Sequence, residues 1–179
     1  ASGRAQHPQI SAIHGCERPC RQSRLNQMPV PGFAFCYRFR VRWSEVDPQK
    51  VVFNARYLDY GDVGITEYWR AVDFRGEGGA GPMDFHVAQA DVTYRKPILA
   101  DELIDIWCRI ERFGTTSMTV LMELHGAGSR GDDLRARVTE VQVNVDLETH
   151  SPKPIPDGVR ARFAAFDAQT APVLRGEGF

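Results

Sequence analysis

The chain has 179 residues, a formal net charge of −1, 42% apolar residues and 25% charged residues. This length suits one domain with a tail, and the balanced composition excludes a globally disordered chain. The near-neutral charge argues against a nucleic-acid-binding protein, which is usually basic. Because the sequence shows no apolar run of membrane-spanning length and no secretory leader, we expect no membrane span and a cytoplasmic location.

Residues 1–31 are predicted to form a flexible N-terminal extension. Most of this segment is rich in Arg, Gln, Ser, Pro and Gly and shows no hydrophobic period. Cys16 and Cys20, with His14 nearby, provide half of a zinc-binding pattern. A structural zinc site needs four ligands, and the second half of the pattern is missing. We therefore expect no metal site.

A strand and then a helix are predicted next. Residues 35–43 alternate between apolar and polar side chains, which predicts a half-buried strand. In residues 54–72 the apolar side chains recur at steps of three and four, which predicts a helix with one apolar face. Gly61 and Gly64 lie inside this helix, where each lowers helix stability relative to alanine. Their presence predicts that the helix lies close against a sheet.

Strand patterns dominate the rest of the chain. Alternating apolar residues predict strands at about 85–94, 103–110 and 117–124, and a fourth strand that ends at Leu147. The connections between these strands are short and turn-like, so consecutive strands are expected to form antiparallel hairpins. Asp157 can cap a short helix that extends to about residue 166.

These elements predict an α+β domain at residues 32–167, followed by a C-terminal tail at 168–179. In this domain one long central helix is wrapped by a curved antiparallel sheet of about five strands. One face of the sheet covers the helix, and an open sheet edge remains for a partner.

The most informative stretch is WSEVDPQKVVFNARYLDY, residues 43–60. A strand-like run ends in Asp47, Pro48 follows at once, and a short apolar turn leads into the helix near Asn54. This order places a carboxylate beside a helix start, where unpaired backbone N–H groups and the positive end of the helix dipole converge. Such a site suits acyl transfer, because the acid can attack or activate water while the donors hold the oxyanion.

Three stretches resemble the hotdog-fold acyl-CoA thioesterases, in particular the 4-hydroxybenzoyl-CoA thioesterase-like branch. They are VRWSEVDPQKVVFNARYLDY at 41–60, VTYRKPILADELIDIWCRIERFGTTSMTV at 92–120, and VNVDLETHSPKPIPDGVRARF at 143–163. The resemblance implies a hotdog fold and hydrolysis of an aromatic or short-to-medium acyl-CoA thioester. It also implies a homodimer or homotetramer, with no cofactor other than the coenzyme A of the substrate.

The resemblance also implies roles for individual residues. Asp47 would be the catalytic carboxylate, and the backbone N–H groups of Asn54 and Ala55 would polarise the thioester carbonyl. Many family members carry glycine where this chain has Lys50. The implied substrate-binding residues are Val52, Phe53, Tyr57, Thr115, Thr116 and Ser117, with Arg112, Lys96 and Lys153 as candidate contacts to the phosphates of coenzyme A.

Three alternatives remain open at this point. Glu67, in the middle of the helix, is a competing catalytic acid, although a solvated or hydrogen-bonded face residue is the simpler interpretation. The substrate could be an acyl-carrier protein, which is acidic and could contact Arg38, Arg40, Arg42 and Arg56. The chain could also be a non-catalytic hotdog module that binds an acyl ligand.

Overall fold

The computed structural model describes residues 30–73, 83–169 and 173–176. Cys16, Cys20 and His14 lie outside the described residues, as does nearly all of the predicted extension. The helices and strands are β1 (Phe35–Arg40), α1 (Arg56–Val72), β2 (Asp84–Tyr94), β3 (Leu103–Phe113), β4 (Ser117–Gly126), β5 (Leu134–Val145), α2 (Asp157–Asp167) and β6 (Val173–Gly176). A single 3₁₀ turn at Trp43–Glu45 separates β1 from α1.

The strands form one sheet in the order β2-β5-β4-β3-β1-β6. All neighbouring strands are antiparallel except β6, which pairs in parallel with β1. The α+β prediction is confirmed, but the described chain contains six strands rather than about five. The additional strand, β6, lies within the predicted tail at 168–179. It has four residues, of which only Val173 is partly buried, so it carries too little periodicity for sequence to reveal it.

The predicted hairpin between β2 and β3 is wrong, whereas those joining β3 to β4 and β4 to β5 are confirmed. Instead, β2 pairs with β5 along its whole length, from Asp84 opposite Val145 to Tyr94 opposite Ala136. The connection at residues 95–102 crosses the end of the sheet. Its backbone bonds successively to the start of β5, to the segment before α1 and to the residue after β1. A short connection therefore does not identify a hairpin here.

The core lies between α1 and one face of the sheet. The helix buries one stripe of residues and contacts β1, β3, β4 and β5. Tyr68 is fully buried, with its ring 5.5 Å from that of Phe35 and 5.4 Å from that of Phe163 in α2. Its hydroxyl donates a 2.7 Å hydrogen bond to Asp167 Oδ1. Each large apolar side chain buried here contributes roughly 1.5–3 kcal/mol, so this stripe fixes the helix on the sheet.

Gly64 marks the closest approach of α1 to the sheet. A Cβ atom at Gly64 would lie 2.6 Å from Ile106 Cδ1 and 3.2 Å from Cys108 Sγ, both on β3. The corresponding atom at Gly61 would meet Glu140 Oε1 and Met122 at 3.5 Å, an ordinary contact distance. The predicted close packing is therefore confirmed, and Gly64 is the position that requires it.

Alanine substitutions at the two glycines form a matched test. Gly64→Ala should destabilise the protein by about 1–3 kcal/mol, because the buried core around Ile106 must move to admit a methyl group. Gly61→Ala should be neutral or stabilise by up to about 1 kcal/mol, because alanine is the better helix former. Denaturant unfolding of both variants measures the difference. Equal effects at the two positions would contradict the close approach at Gly64.

Candidate active site

Asp47 lies in a tight turn held by its own backbone. Residues 46 and 52 form an isolated β-bridge, the N–H of Asp47 donates to Val51 O, and the N–H of Lys50 donates to Asp47 O. The N–H of Gln49 donates to Asp47 Oδ1 at 2.8 Å, the local pattern expected of an aspartate at a turn. Within the described chain Oδ2 has no hydrogen-bond partner, so one carboxylate oxygen is fixed and the other is available.

Lys50 adopts a left-handed backbone conformation, with φ at +64°. This is the position where the resemblance predicts glycine, the residue that reaches this region without steric cost. The turn therefore keeps a glycine-like conformation although its residue is lysine. For a residue with a Cβ atom, the left-handed conformation costs roughly 1–2 kcal/mol.

Two backbone donors are unpaired at the start of α1. The N–H of Phe53 donates to Glu45 O, and the N–H of Arg56 donates to Phe53 O. Between them, the N–H groups of Asn54 and Ala55 find no acceptor among the described residues. The predicted oxyanion donors are thus free, and they lie where the dipole of the 17-residue helix adds positive potential.

Six of the predicted site residues line one cleft of about 500 Å³. They are Asp47, Val52, Phe53, Asn54, Tyr57 and Lys96. The cleft lies at the end of the sheet where β1 and β2 finish and the crossing connection passes. The N–H of Val52 donates to Ile98 O at 2.8 Å and joins the Asp47 segment to this connection. The structure therefore brings the carboxylate, a helix-start residue and apolar side chains together.

Tyr94 is a cleft residue that sequence reasoning missed. Its hydroxyl donates to Asn54 O at 3.0 Å, and its ring meets that of Tyr57 edge-on with centroids 4.9 Å apart. Tyr57 is 3% exposed, so it belongs to the core and lines the cleft at the same time. Burial raises the pKa of Tyr57, which keeps its phenol neutral. The available signal was the position of Tyr94 at the end of a strand, just before the Lys96-Pro97 break.

The remaining lining residues include Gln49, Arg95 and Pro97, which the sequence also did not indicate as site residues. Lys96 reaches the cleft, but its Nζ forms a 2.8 Å ion pair with Asp133 Oδ1. Its charge is therefore partly neutralised inside the protomer. Arg95 is exposed at the same mouth and provides a second cation there.

The other five predicted substrate contacts lie at the opposite end of the sheet. They are Thr115, Thr116 and Ser117 at the start of β4, Arg112 near the end of β3, and Lys153 before α2. The ten residues of β4 separate the two ends, which at about 3.3 Å per residue is roughly 30 Å. Within one protomer these residues are not brought to Asp47.

The Thr115 turn is held by Arg160 of α2, another residue that sequence reasoning missed. Arg160 Nη2 donates to Gly114 O and Thr115 O, and its guanidinium lies 5.2 Å from the centre of the Phe113 ring. The N–H of Ile155 donates to Thr115 O as well. The turn is therefore rigidly attached to the second helix.

Glu67, the competing acid, lies away from the Asp47 cleft. It forms an ion pair with Arg70 one turn further along α1, and both residues line a shallow groove on the outer side of the helix. The structure thus agrees with its interpretation as a helix-face residue.

Among residues 30–73, 83–169 and 173–176, no group of three or more His, Cys, Asp or Glu side chains is arranged to hold a metal ion. None of the helices described is long and apolar enough to cross a membrane.

A family model described as the thioesterase-like superfamily matches residues 41–163. This match covers more than half of the chain and includes the Asp47 turn, α1 and strands β2 to β5. The chain therefore belongs to the thioesterase-like superfamily, and it is a thioester hydrolase with the hotdog fold. The family expected from sequence is thus confirmed. A comparison with curated proteins finds no match.

Solved structures agree with this assignment. A thioesterase from Thermus thermophilus, in complex with coenzyme A and Zn, is 26% identical with a TM-score of 0.65, over 78% of this chain and 98% of that chain. A 1,4-dihydroxy-2-naphthoyl-CoA thioesterase from Synechocystis is 16% identical with a TM-score of 0.64, over 75% and 98%. A gentisyl-coenzyme A thioesterase is 22% identical with a TM-score of 0.60, over 72% and 98%. The last two show a shared fold.

The left-handed conformation of Lys50 gives a stability prediction. Lys50→Gly should stabilise the protein by roughly 1 kcal/mol, because glycine removes the steric cost of positive φ. Lys50→Ala is the matched control, since it removes the amine and keeps the Cβ atom. Thermal unfolding of the three proteins should rank the glycine variant above the other two. Equal midpoints for the glycine and alanine variants would contradict the strained turn.

Proposed function

We propose that this protein is an acyl-CoA thioesterase in which Asp47 provides the catalytic carboxylate. The observation that carries the proposal is the arrangement at the start of α1. Asp47, with one unpaired oxygen, and Asn54, with an unpaired backbone N–H, line the same cleft. A nucleophile or base beside oriented donors is the minimum that acyl transfer requires.

The reaction proceeds in one of two ways. In both, the thioester carbonyl oxygen accepts hydrogen bonds from the Asn54 and Ala55 N–H groups, which stabilise the tetrahedral oxyanion. Asp47 either attacks the carbonyl carbon and expels the coenzyme A thiolate, leaving an anhydride that water hydrolyses, or takes a proton from an attacking water. Both routes give a carboxylic acid and free coenzyme A. One oxyanion donor contributes about 10²–10³ in rate.

The lining of the cleft supports an aromatic or short-to-medium acyl group. Tyr57, Tyr94 and Phe53 provide apolar ring surfaces, which suit an acyl pocket with few polar groups. Two solved structures with this fold are named for aromatic acyl-CoA substrates, and a third holds coenzyme A. These likenesses support the proposed substrate class.

Coenzyme A is favoured over an acyl-carrier protein because the candidate basic surface is largely neutralised. Arg38 forms a bidentate pair with Asp105, Arg40 pairs with Asp101, and Arg56 pairs with Asp59. An acidic carrier would have to compete with these carboxylates. A non-catalytic module is disfavoured because the free carboxylate oxygen and donors are unnecessary for simple acyl binding.

Replacement of Asp47 tests the catalytic role. Asp47→Asn keeps an acceptor for the Gln49 N–H and removes the charge, so kcat should fall by about 10²–10⁴, the range expected for a lost acid–base group. Release of the coenzyme A thiol from benzoyl-CoA and hexanoyl-CoA measures the rate. Glu67→Gln is the matched control, and it should retain activity within a few fold.

An Asp47→Asn variant with full activity would rule out this carboxylate. If the unmodified protein binds both acyl-CoAs and cleaves neither, the non-catalytic module is correct. Trapping of an acyl group on Asp47 would distinguish nucleophilic attack from general-base catalysis.

The proposed working form is a homodimer joined along β2. In the described chain β2 pairs only with β5, and residues 86–91 are exposed on both of its faces. A long open edge strand is a ready surface for pairing with a second copy. Antiparallel pairing of two β2 strands would place the Asp84 end of one copy beside the Tyr94 end of the other.

This arrangement explains the separated site residues. Asp84 lies opposite Val145, and Ser117 lies opposite Val143, so the Thr115–Ser117 turn lies near the Asp84 end of β2. In the dimer, the turn of one copy therefore approaches the Asp47 cleft of the other. The coenzyme A chain would run from the cleft across the boundary between the copies.

Charge substitutions on the two sheet edges test the dimer. Val87→Asp on β2 should shift the protein towards monomer, because a charged edge residue opposes strand pairing. Activity should fall in parallel and recover at high protein concentration. Leu174→Asp on β6, the opposite edge strand, is the matched control. It should leave the mass of the assembly in solution unchanged. The oligomeric state, from sedimentation, and the hydrolysis rate are measured on the same samples. A fully active Val87→Asp monomer would contradict a site shared between two copies.

A further inference from the structure

The two proposed oxyanion donors belong to neighbouring peptide units at the start of α1. The Asn54 N–H shares a peptide with the Phe53 carbonyl, and the Ala55 N–H shares the next peptide with the Asn54 carbonyl. A peptide unit is planar and trans, so a partner that fixes the carbonyl oxygen also fixes the N–H, which points the opposite way. The partners of these two carbonyl groups therefore decide where the donors point.

The two carbonyl groups are held differently. Phe53 O accepts from the N–H of Arg56 at 2.9 Å, an ordinary backbone hydrogen bond. Asn54 O accepts from the N–H of Tyr57 at 3.4 Å, which is longer than the usual range. The N–H of Leu58 would donate to Asn54 O in a regular α-helix, but it donates to the following carbonyl instead. Backbone bonds therefore hold the first peptide firmly and the second one weakly.

The Tyr94 hydroxyl provides the shorter bond to the second peptide. It donates to Asn54 O at 3.0 Å, whereas the backbone bond to the same oxygen is 3.4 Å. A hydrogen bond donated to a carbonyl also polarises its peptide, which makes the N–H of that peptide a stronger donor. The Ala55 N–H thus depends on Tyr94 for its direction and its strength, and the Asn54 N–H does not.

Tyr94 is held by the sheet and by the core. It is the last residue of β2 and pairs with Ala136 of β5, and the N–H of Arg95 donates to Arg135 O at 2.8 Å. Its ring meets the ring of the buried Tyr57 edge-on, with centroids 4.9 Å apart. Strand pairing and the ring contact together place the hydroxyl beside Asn54 O, although the side chain is half-exposed.

We propose that Tyr94 is a positioning residue of the oxyanion site and acts through the peptide between Asn54 and Ala55. Its hydroxyl holds the Ala55 N–H towards the thioester carbonyl oxygen and strengthens this donor as negative charge develops there. This inference rests on the proposed thioesterase function. It adds a residue of β2 to an acid and two donors that all lie close to α1 in sequence.

Removal of one hydroxyl group tests the role. Tyr94→Phe keeps the ring contact with Tyr57 and removes the bond to Asn54 O. We expect kcat for benzoyl-CoA to fall by about tenfold or more, with complete loss of a donor, about 10²–10³, as the upper limit. KM should change by less than about threefold, because an interaction made in the transition state affects kcat and not substrate binding.

Tyr68→Phe is the matched control, since it removes a tyrosine hydroxyl that bonds to Asp167, away from the cleft. It should lower the unfolding midpoint by roughly 3 °C or more, because Asp167 loses a partner in the core. Its kcat should stay within about twofold of the unmodified value. Tyr94→Phe should show the opposite pattern, with a midpoint within about 2 °C of the unmodified protein. Activity that falls in parallel with stability in both variants would contradict the positioning role.

Infrared difference spectroscopy measures the polarisation of the bound carbonyl without hydrolysis. Benzoyl-CoA with an isotope label at the thioester carbonyl is bound to Asp47→Asn, where hydrogen bonds to the carbonyl oxygen lower its stretching frequency. Adding Tyr94→Phe should move this frequency back towards its value in solution. The affinity of the two proteins for benzoyl-CoA, measured by calorimetry, should agree within about threefold.

Three results would overturn the positioning role. They are an unchanged kcat for Tyr94→Phe, a carbonyl frequency that does not respond to this substitution, and a loss of affinity in place of a loss of kcat. The last result would mean that the hydroxyl contacts the substrate directly.

The same measurements separate the positioning role from the proposed function. If the unmodified protein cleaves no acyl-CoA and the carbonyl frequency still depends on Tyr94, the proposed hydrolysis is wrong and the positioning role stands. If hydrolysis depends on Asp47 and neither kcat nor the carbonyl frequency responds to Tyr94→Phe, the proposed function stands and the positioning role is wrong.

Discussion

The backbone hydrogen bond from Val52 to Ile98 joins the two chain segments on which the site depends. One segment contains the Asp47 turn and the start of α1, and the other crosses the end of the sheet between β2 and β3. Glu45 anchors the first segment to α1, because its side chain accepts from the Tyr60 hydroxyl and from the N–H of Arg42. With both segments fixed, the helix begins where its first N–H groups face open space. The unpaired donors at Asn54 and Ala55 are therefore a result of backbone geometry.

The elements themselves could be predicted from sequence because each has its own period. β1 shows strict alternation, and α1 shows an apolar stripe with glycines at the contact with the sheet. The strand order could not be predicted by the same reasoning. The pairing of β2 with β5 is fixed by backbone bonds of residues 95–102 that no local pattern encodes. β6 is too short and exposed to carry a pattern at all.

The residues of the candidate site also divide into those that the sequence predicts and those that it does not. Asp47, Asn54 and Tyr57 are close in sequence, so a single motif identifies them. Tyr94 and Arg95 come from a distant strand and reach the cleft only because β2 and β1 end at the same side of the sheet. The Thr115 turn is the opposite case. The family resemblance implies that it contacts the substrate, but within one protomer it lies at the end of the sheet opposite the Asp47 cleft. The sequence could identify which residues suit the site, whereas the distances between these residues depend on strand direction and register.

Strand β5 places both apolar and polar side chains in the core. The side chains that face α1 change from Ala136 and Val138, which are fully buried and apolar, to Glu140, Gln142 and Asn144. These five side chains are on alternate residues of β5, so the apolar and polar parts of the row share one face of the sheet. An apolar row would stabilise the fold more, since the buried polar row leaves oxygens on Gln142 and Asn144 unsatisfied. On α1, Gly61 lies over Glu140, and a Cβ atom there would be in ordinary contact with Glu140 Oε1 at 3.5 Å, so the helix also packs against the polar part. The packing between α1 and β5 therefore includes buried polar groups as well as apolar side chains.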